Sequence, residues 1–195
     1  MDSGSSVFSC LGFEEIKIAQ LWEIMRFNCR TFNLIPSSDV RSSPLKYIQI
    51  HKDWPQMTTF HAPLAPKPVG HYPHAKRVGD LLFLSGIGPR EPGSNAIPGN
   101  VYAADGSLQS YDIAAQCRSV FANVKAVLQA AGSNWLDLVD VTVYLTDMKA
   151  DFATYNAIWA EYFHNDPPCR TTLGITALPT PIAIELKCTA ISRAA

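Results

Sequence analysis

The stretch from Ile113 to Ala131 constrains the fold more than any other part of the sequence. Its apolar residues recur at steps of three and four, the spacing that places side chains on one side of an α-helix: Ile113, Cys117, Val120, Phe121, Val124, Val127 and Leu128. Ser110 or Asp112 is suited to cap the start, and Gly132 stands where a C-terminal glycine is favoured. We therefore predict a helix that buries this stripe against a second layer.

Most of the remaining apolar residues follow the period of two that is typical of strands. Apolar and polar residues alternate in Val139–Leu145 and again from Ile182 to Ala190, as expected for half-buried strands. Ala75–Val78 and Leu81–Ser85 flank Gly79-Asp80, a turn pair that predicts a β-hairpin.

One more strand and one more helix complete the predicted domain. The strand is expected at Arg170–Ala177, and the helix is marked by Phe152, Tyr155, Trp159 and Tyr162 and ends before Pro167. The order strand, strand, helix, strand, helix, strand, strand predicts an α+β fold, a mixed sheet with two helices packed on one face. The other face would leave apolar side chains in water, so we expect self-association in a closed ring.

The composition changes near Met57. Residues 57–195 are expected to form the folded domain, and residues 1–56 a poorly structured N-terminal extension with one weak amphipathic stretch, Glu14 to Phe27. Met57 is itself a candidate start. Ser85–Ser110 is rich in Gly, Pro and Asn and is expected to be a long loop, with a short strand near Val101-Tyr102.

Charge and composition exclude several classes of protein. The formal net charge of -1 argues against a nucleic-acid partner, and no apolar run is long enough for a membrane span. Without a secretory or transit pattern we expect a cytoplasmic protein, whose five cysteines, an odd number, are free thiols. His71 and His74 are the only closely spaced histidines, and we interpret them as part of a surface turn rather than a metal site.

Local patterns for nucleotide binding and for serine or zinc hydrolysis do not occur. What remains is a pair near the C terminus, Arg170 at the start of one strand and Glu185 inside the last one. Glu185 is out of phase with the apolar residues beside it and so faces the other side of the sheet. If the two strands pair, the two side chains approach one another. They then form either a plain cross-strand ion pair or a site for a carboxylate and a water molecule.

Several ordered motifs resemble the RidA (YjgF-type) family. Val78–Gly86 is similar to the opening strands of the family, Asn123–Gly132 to its first helix and Asp151–Asn156 to the start of its second. Pro168–Thr172, followed by Ala177-Leu178-Pro179 and Ile184-Glu185-Leu186, resembles its C-terminal site motif. The resemblance covers residues 66 to 192. It implies a chorismate-mutase-like fold, homotrimers, and active sites in the clefts between subunits.

The resemblance also implies roles for individual residues. Arg170 falls on the arginine that binds the substrate carboxylate, and Glu185 on the glutamate that positions water. Gly86 belongs to the Ser-Gly pair that lines the cleft, and Asn156 falls on a supporting asparagine of the second helix. The implied activity is the hydrolytic deamination of an enamine or imine that carries a carboxylate, and it requires neither a metal nor an organic cofactor.

Two segments are similar to the 2-aminomuconate deaminase branch: Tyr72-Pro73-His74-Ala75-Lys76-Arg77, and Ser85-Gly86 followed by Arg90. This branch implies a dicarboxylate substrate from tryptophan or nitroaromatic catabolism, with His74 near it and Arg90 or Lys76 on its distal carboxylate. Two alternatives stay open. One is a general RidA enzyme for 2-aminoacrylate-type enamines, and the other is a non-catalytic member that binds a ligand or a protein.

Overall fold

The structure is a computed structural model that describes residues 56–193. The amphipathic stretch Glu14–Phe27 and nearly all of the predicted N-terminal extension lie outside these residues. No helix in the described part of the chain is both long enough and apolar enough to cross a membrane.

The domain is one mixed sheet of six strands, a separate two-stranded ribbon and two helices. The sheet order is β1-β2-β3-β8-β6-β7, in which β6 and β7 run parallel and all other neighbours are antiparallel. The elements are β1 (Met57–Phe60), β2 (Ala75–Val78), β3 (Leu81–Leu84), β4 (Val101–Tyr102), β5 (Leu108–Ser110), α1 (Ile113–Ala130), β6 (Leu138–Leu145), α2 (Met148–Tyr162), β7 (Cys169–Gly174) and β8 (Ile184–Ile191).

Both helices cover the same face of the sheet, as the α+β prediction requires. The stripe of α1 is buried, and it packs against the inward side chains of β8 and against α2. Asp112 caps this helix by accepting hydrogen bonds from the amides of Ala114 and Ala115, and Gly132 after it has a φ of 72°. The predicted start and stop signals are therefore confirmed, with Asp112 rather than Ser110 as the cap.

The second helix begins one turn earlier than its aromatic residues predict. Asp147 accepts a hydrogen bond from the amide of Ala150 and so starts α2 at Met148. Phe152 remains 39% exposed and does not belong to the buried stripe, whereas Tyr155 and Trp159 do. A polar cap therefore decided this boundary, which the apolar spacing alone placed too late.

Three further details differ from the sequence-based prediction. Met57–Phe60 forms an edge strand on β2 that the alternation did not indicate. The predicted loop over 85–110 contains the ribbon of β4 and β5, so the short strand at Val101-Tyr102 is confirmed and has a partner. The two C-terminal strands do not pair with each other, because β6 lies between β7 and β8.

The face of the sheet away from the helices, which we call the open face, carries exposed apolar side chains. Met57, Leu81, Phe83, Leu173 and Ile191 are each at least 40% exposed there. The same face also carries the polar residues of β8, which alternate with the buried residues of that strand. These exposed apolar residues are the ones for which the sequence analysis expects self-association.

Candidate active site

Glu185 lies on the open face of β8, opposite Tyr144 of β6. Its neighbours Ile184 and Leu186 are fully buried under the helices, and Glu185 itself is half-buried. The prediction that Glu185 faces away from the core is therefore confirmed. Burial raises the pKa of its carboxyl group above the ordinary value, which favours a group able to take up a proton.

Gly86 is held directly against the Glu185 carboxyl group. After β3 ends, Ile87 and Leu186 exchange two backbone hydrogen bonds of 2.9 Å, which draws this part of the chain along β8. The Ser85 hydroxyl donates to the carbonyl of Pro73 at 2.6 Å and holds the same turn from the other side. A Cβ atom added at Gly86 would lie 2.9 Å from the Glu185 Cδ atom, so the carboxyl group occupies the space that only glycine leaves free.

Gly86→Ala is therefore expected to displace the Glu185 carboxyl group. In the deaminase that the resemblance implies, this displacement should lower kcat by about tenfold or more, since small misplacements of a catalytic group have large effects. Circular dichroism should show a retained fold. Gly174→Ala is the matched control, because a Cβ atom there meets only ordinary contacts with Met148. Wild-type turnover by Gly86→Ala would contradict the assignment.

Arg170 lies on β7, the edge strand next to β6, and its side chain turns toward α2. One guanidinium nitrogen donates to the Asn156 Oδ1 atom at 3.0 Å. The guanidinium carbon lies 5.0 Å from the Trp159 ring centroid and 5.5 Å from that of Tyr155, within the range of cation–π attraction. The supporting role expected of Asn156 thus has a geometric basis, because its amide fixes the orientation of the arginine.

Three buried polar atoms around Arg170 lack a well-formed hydrogen bond within the described residues: its second guanidinium nitrogen, the Thr172 hydroxyl and the Tyr155 hydroxyl. Burial raises the pKa of Tyr155, and Arg170 and Thr172 oppose that rise, which shows that these groups are close together. Side-chain hydrogen bonds with Arg170 and Thr172 are among the causes that oppose the rise in the pKa of Tyr155, so the three groups form one buried polar cluster beneath the guanidinium group. The sequence analysis missed a role for Tyr155 and Trp159 because it used them only to mark the helix, and it named Thr172 only as part of the C-terminal motif.

Arg170 and Glu185 do not share a pocket within one chain. Arg170 pairs with Val141 and Glu185 with Tyr144, so the two residues lie on opposite faces of the sheet and two strands apart. Their Cα atoms are separated by roughly 14 Å, from three residues along β6 and two strand spacings. The two side chains were expected to approach one another if their strands pair, and this condition is not met because β6 lies between the strands. We name the two groups the carboxyl half-site (Gly86, Glu185) and the guanidinium half-site (Arg170, Asn156).

The structure gives His74 and Arg90 partners within the chain. His74 is buried rather than part of a surface turn, and its ring nitrogens bond the amide of Ala62 at 3.0 Å and the carbonyl of Pro66 at 2.9 Å. Arg90 donates to Asn95 and to the carbonyl of Lys67, at 2.8 and 2.7 Å. Both line a small cavity that reaches Gly86, but their polar atoms are used to hold the surrounding loops.

Tyr72 is a further residue that the sequence analysis did not single out as a ligand contact. It is 40% exposed and lines both the small cavity at Gly86 and a larger one beside it. The sequence did contain a signal, because Tyr72 begins the segment that resembles the 2-aminomuconate branch. Only the packing of residues 61–73, between β1 and β2, shows which way the Tyr72 ring faces.

Cysteine chemistry is not part of either half-site. Cys117 and Cys188 are buried, and burial raises the pKa of both thiols to about 12. Cys169 is exposed and alternates with Arg170 along β7, so it points to the other face, as predicted. Residues 56–193 contain no group of three or more side chains that could hold a metal ion.

Comparison with known proteins identifies the family. The family model described as Endoribonuclease L-PSP matches residues 62–192. A RutC family protein of Pyrococcus horikoshii is 39% identical over 123 residues, which is 63% of this chain and 88% of the relative.

Solved structures agree with the sequence match. The YjgF gene product of E. coli has a TM-score of 0.60 and 31% identity, over 70% of this chain and 99% of that one. RidA from the Antarctic bacterium Psychrobacter sp. has a TM-score of 0.60 and 28% identity, over 69% of this chain and 98% of that one. With both half-sites carried on this fold, the chain belongs to the RidA/YjgF family, whose family model is called Endoribonuclease L-PSP.

Proposed function

We propose that this protein is a hydrolytic deaminase of an enamine or imine that carries a carboxylate. One observation carries the proposal: the structure prepares a guanidinium and a carboxyl group for different tasks. Arg170 is oriented by Asn156 and two aromatic rings, and a guanidinium group held in this way suits the binding of a carboxylate. Glu185 is half-buried against Gly86 with a raised pKa, which suits a base for water.

The proposed site is completed between copies of the chain. The half-sites lie on opposite faces of one sheet, so a second copy has to bring its Arg170 to the Glu185 of the first. The apolar open face around Leu81 and Phe83 supports such an assembly, because it would otherwise stay in water. We propose a closed homotrimer, in which each interface contains one site.

The proposed chemistry uses only these groups and water. The enamine tautomerises to the imine, and Arg170 binds the adjacent carboxylate and offsets its negative charge. Glu185 takes a proton from a water molecule while the water oxygen forms a bond to the imine carbon. Glu185 then gives this proton to the nitrogen. The hydroxyl proton of the tetrahedral intermediate then passes to nitrogen as the carbon–nitrogen bond breaks, which releases ammonia and leaves a carbonyl group.

For the substrate we propose 2-aminomuconate, which would yield 2-oxohex-3-enedioate (4-oxalocrotonate) and ammonia. The segments 72–77 and 85–90, which resemble the 2-aminomuconate branch, both contribute to the walls around Gly86. A dicarboxylate needs a second cation besides Arg170. Activity on 2-aminoacrylate-type enamines, which have one carboxylate, requires only Arg170.

The test follows the loss of absorbance of freshly generated 2-aminomuconate and of 2-aminoacrylate, with ammonia and the keto product measured at the end. The proposal expects catalysed loss of 2-aminomuconate, at a higher kcat/KM than for 2-aminoacrylate. An RNA substrate run in parallel tests the activity for which the family model is named. If neither enamine is consumed faster than in buffer, the enzyme proposal is wrong.

The raised pKa of Glu185 predicts a shifted pH profile. The base form is required, so kcat/KM should fall as the pH decreases through the folded-state pKa of Glu185, which lies above its ordinary value of 4.5. The acidic limb of the profile should therefore have its midpoint above that value. A limb centred at or below it would show that a different group limits the rate.

A further inference from the structure

Residues 61–73, the lead-in segment between β1 and β2, line an open cavity of about 720 Å³ together with Thr59 of β1 and Lys76 of β2. Its volume falls within the range of small-molecule sites. Lys67 and Lys76, both exposed, and the rings of His61 and His71 contribute to its lining, and that lining contains no Asp or Glu. A cavity with cationic groups and no carboxylate attracts an anion.

This cavity adjoins the carboxyl half-site. It shares Ala65, Pro68, Tyr72 and His74 with the small cavity that reaches Gly86. Lys76 pairs with Phe83 across the hairpin, three residues before Gly86. The Cα atoms of Lys76 and Gly86 are thus about 11 Å apart. A six-carbon dicarboxylate and a lysine side chain can together span this distance.

The walls of the cavity are preorganised. The buried ring of His74 ties both ends of 62–66 to the hairpin, and Ser85 ties down Pro73. Four prolines between 63 and 73 restrict the backbone further. Arg90 donates hydrogen bonds to Asn95 and to the carbonyl of Lys67. It therefore stabilises the wall of the cavity, and its donors are not directed at the ligand.

We infer that this cavity binds the distal carboxylate of an extended dicarboxylate substrate, with Lys76 and Lys67 as its cations. The inference rests on the proposed function and deepens it, because it assigns the second carboxylate to a defined place. Of the two cations expected from the sequence, Lys76 is favoured over Arg90. The apolar walls suit the carbon chain between the two carboxylates.

Two ligands of equal length separate the contributions of the two carboxylates. Muconate is a six-carbon diene with a carboxylate at each end, and sorbate is the corresponding monocarboxylate. In calorimetric titrations of the full-length assembly, muconate should bind about tenfold or more tightly than sorbate, as expected for one additional charged hydrogen bond. Lys76→Met and Lys67→Met should each weaken muconate binding several-fold and leave sorbate binding unchanged. Lys149→Met, an exposed lysine of α2, is the control.

Equal affinities for muconate and sorbate would overturn the inference, and so would lysine variants that weaken both ligands alike. Arg170→Ala keeps this result separate from the proposed function. If that variant loses both ligands and all turnover while the lysine variants change nothing, the deaminase proposal stands and the cavity assignment fails. If the lysine variants lose muconate selectively but no enamine is consumed, the cavity assignment stands and the deaminase proposal fails.

Discussion

Arg170→Ala is expected to lower kcat/KM for a carboxylate-bearing enamine by about 10²- to 10³-fold, because the substrate carboxylate loses its charged partner inside a partly desolvated cleft. Arg170→Lys should recover only a small part of this activity. A lysine keeps the charge but cannot form the planar pair of hydrogen bonds, and it has no guanidinium plane to stack on Trp159. Steady-state kinetics on both enamines measure the effect.

The matched control is Arg118→Ala. Arg118 forms an ion pair with Glu161 at 2.8 Å, with both side chains about half exposed, so its removal should change stability and turnover little. Equal rates for Arg170→Ala and the wild type would remove the enzyme interpretation. A loss of turnover by Arg118→Ala as well would show that general destabilisation, rather than substrate binding, explains the data.

Glu185→Gln is expected to reduce kcat by about 10² to 10⁴, the usual contribution of a positioned general base. The same substitution should stabilise the protein at neutral pH. The folded-state pKa of Glu185 is raised by burial, so its carboxyl group favours the folded state most when protonated, and that contribution is lost as the pH rises through the folded-state pKa. Thermal unfolding at several pH values checks this: the gain in Tm over the wild type should disappear below the ordinary pKa of 4.5.

Mixing the two inactive variants tests where the site is formed. If Arg170 of one copy meets Glu185 of another, trimers assembled at random from equal amounts of Arg170→Ala and Glu185→Gln chains should regain about a quarter of the wild-type sites. Co-expression with two different affinity tags isolates such mixed assemblies. If both residues acted within one chain, mixing would restore no activity, and the inter-subunit site would be excluded.

Local chemistry made most of the elements predictable. The three- and four-residue spacing located α1, the period of two located β6 and β8, and Gly79-Asp80 located the hairpin of β2 and β3. The same period of two placed Glu185 on the face away from the core. Boundaries that depend on a single polar cap, such as Asp147 before α2, were less predictable because a cap leaves no periodic signal.

The arrangement of the site residues was not predictable in the same way. Asn156 and Arg170 are 14 residues apart and meet at 3.0 Å because α2 packs over β7. The fixed partners of His74 and Arg90 likewise come from the fold of the lead-in segment and of the loop after β3. Each of these contacts joins two segments that are separate in the sequence, and the sequence of one segment does not indicate that the other packs against it.

The sequence by itself determined most of the helices and strands, the outward face of Glu185 and the family that the chain resembles, because these follow from local periodicity and ordered motifs. Only the tertiary structure decided that β6 separates β7 from β8, which holds Arg170 and Glu185 two strands apart, and that the pairing register puts them on opposite faces. The physical reason is that strand order depends on how the whole sheet buries its apolar face under the helices, a global balance that no single segment encodes.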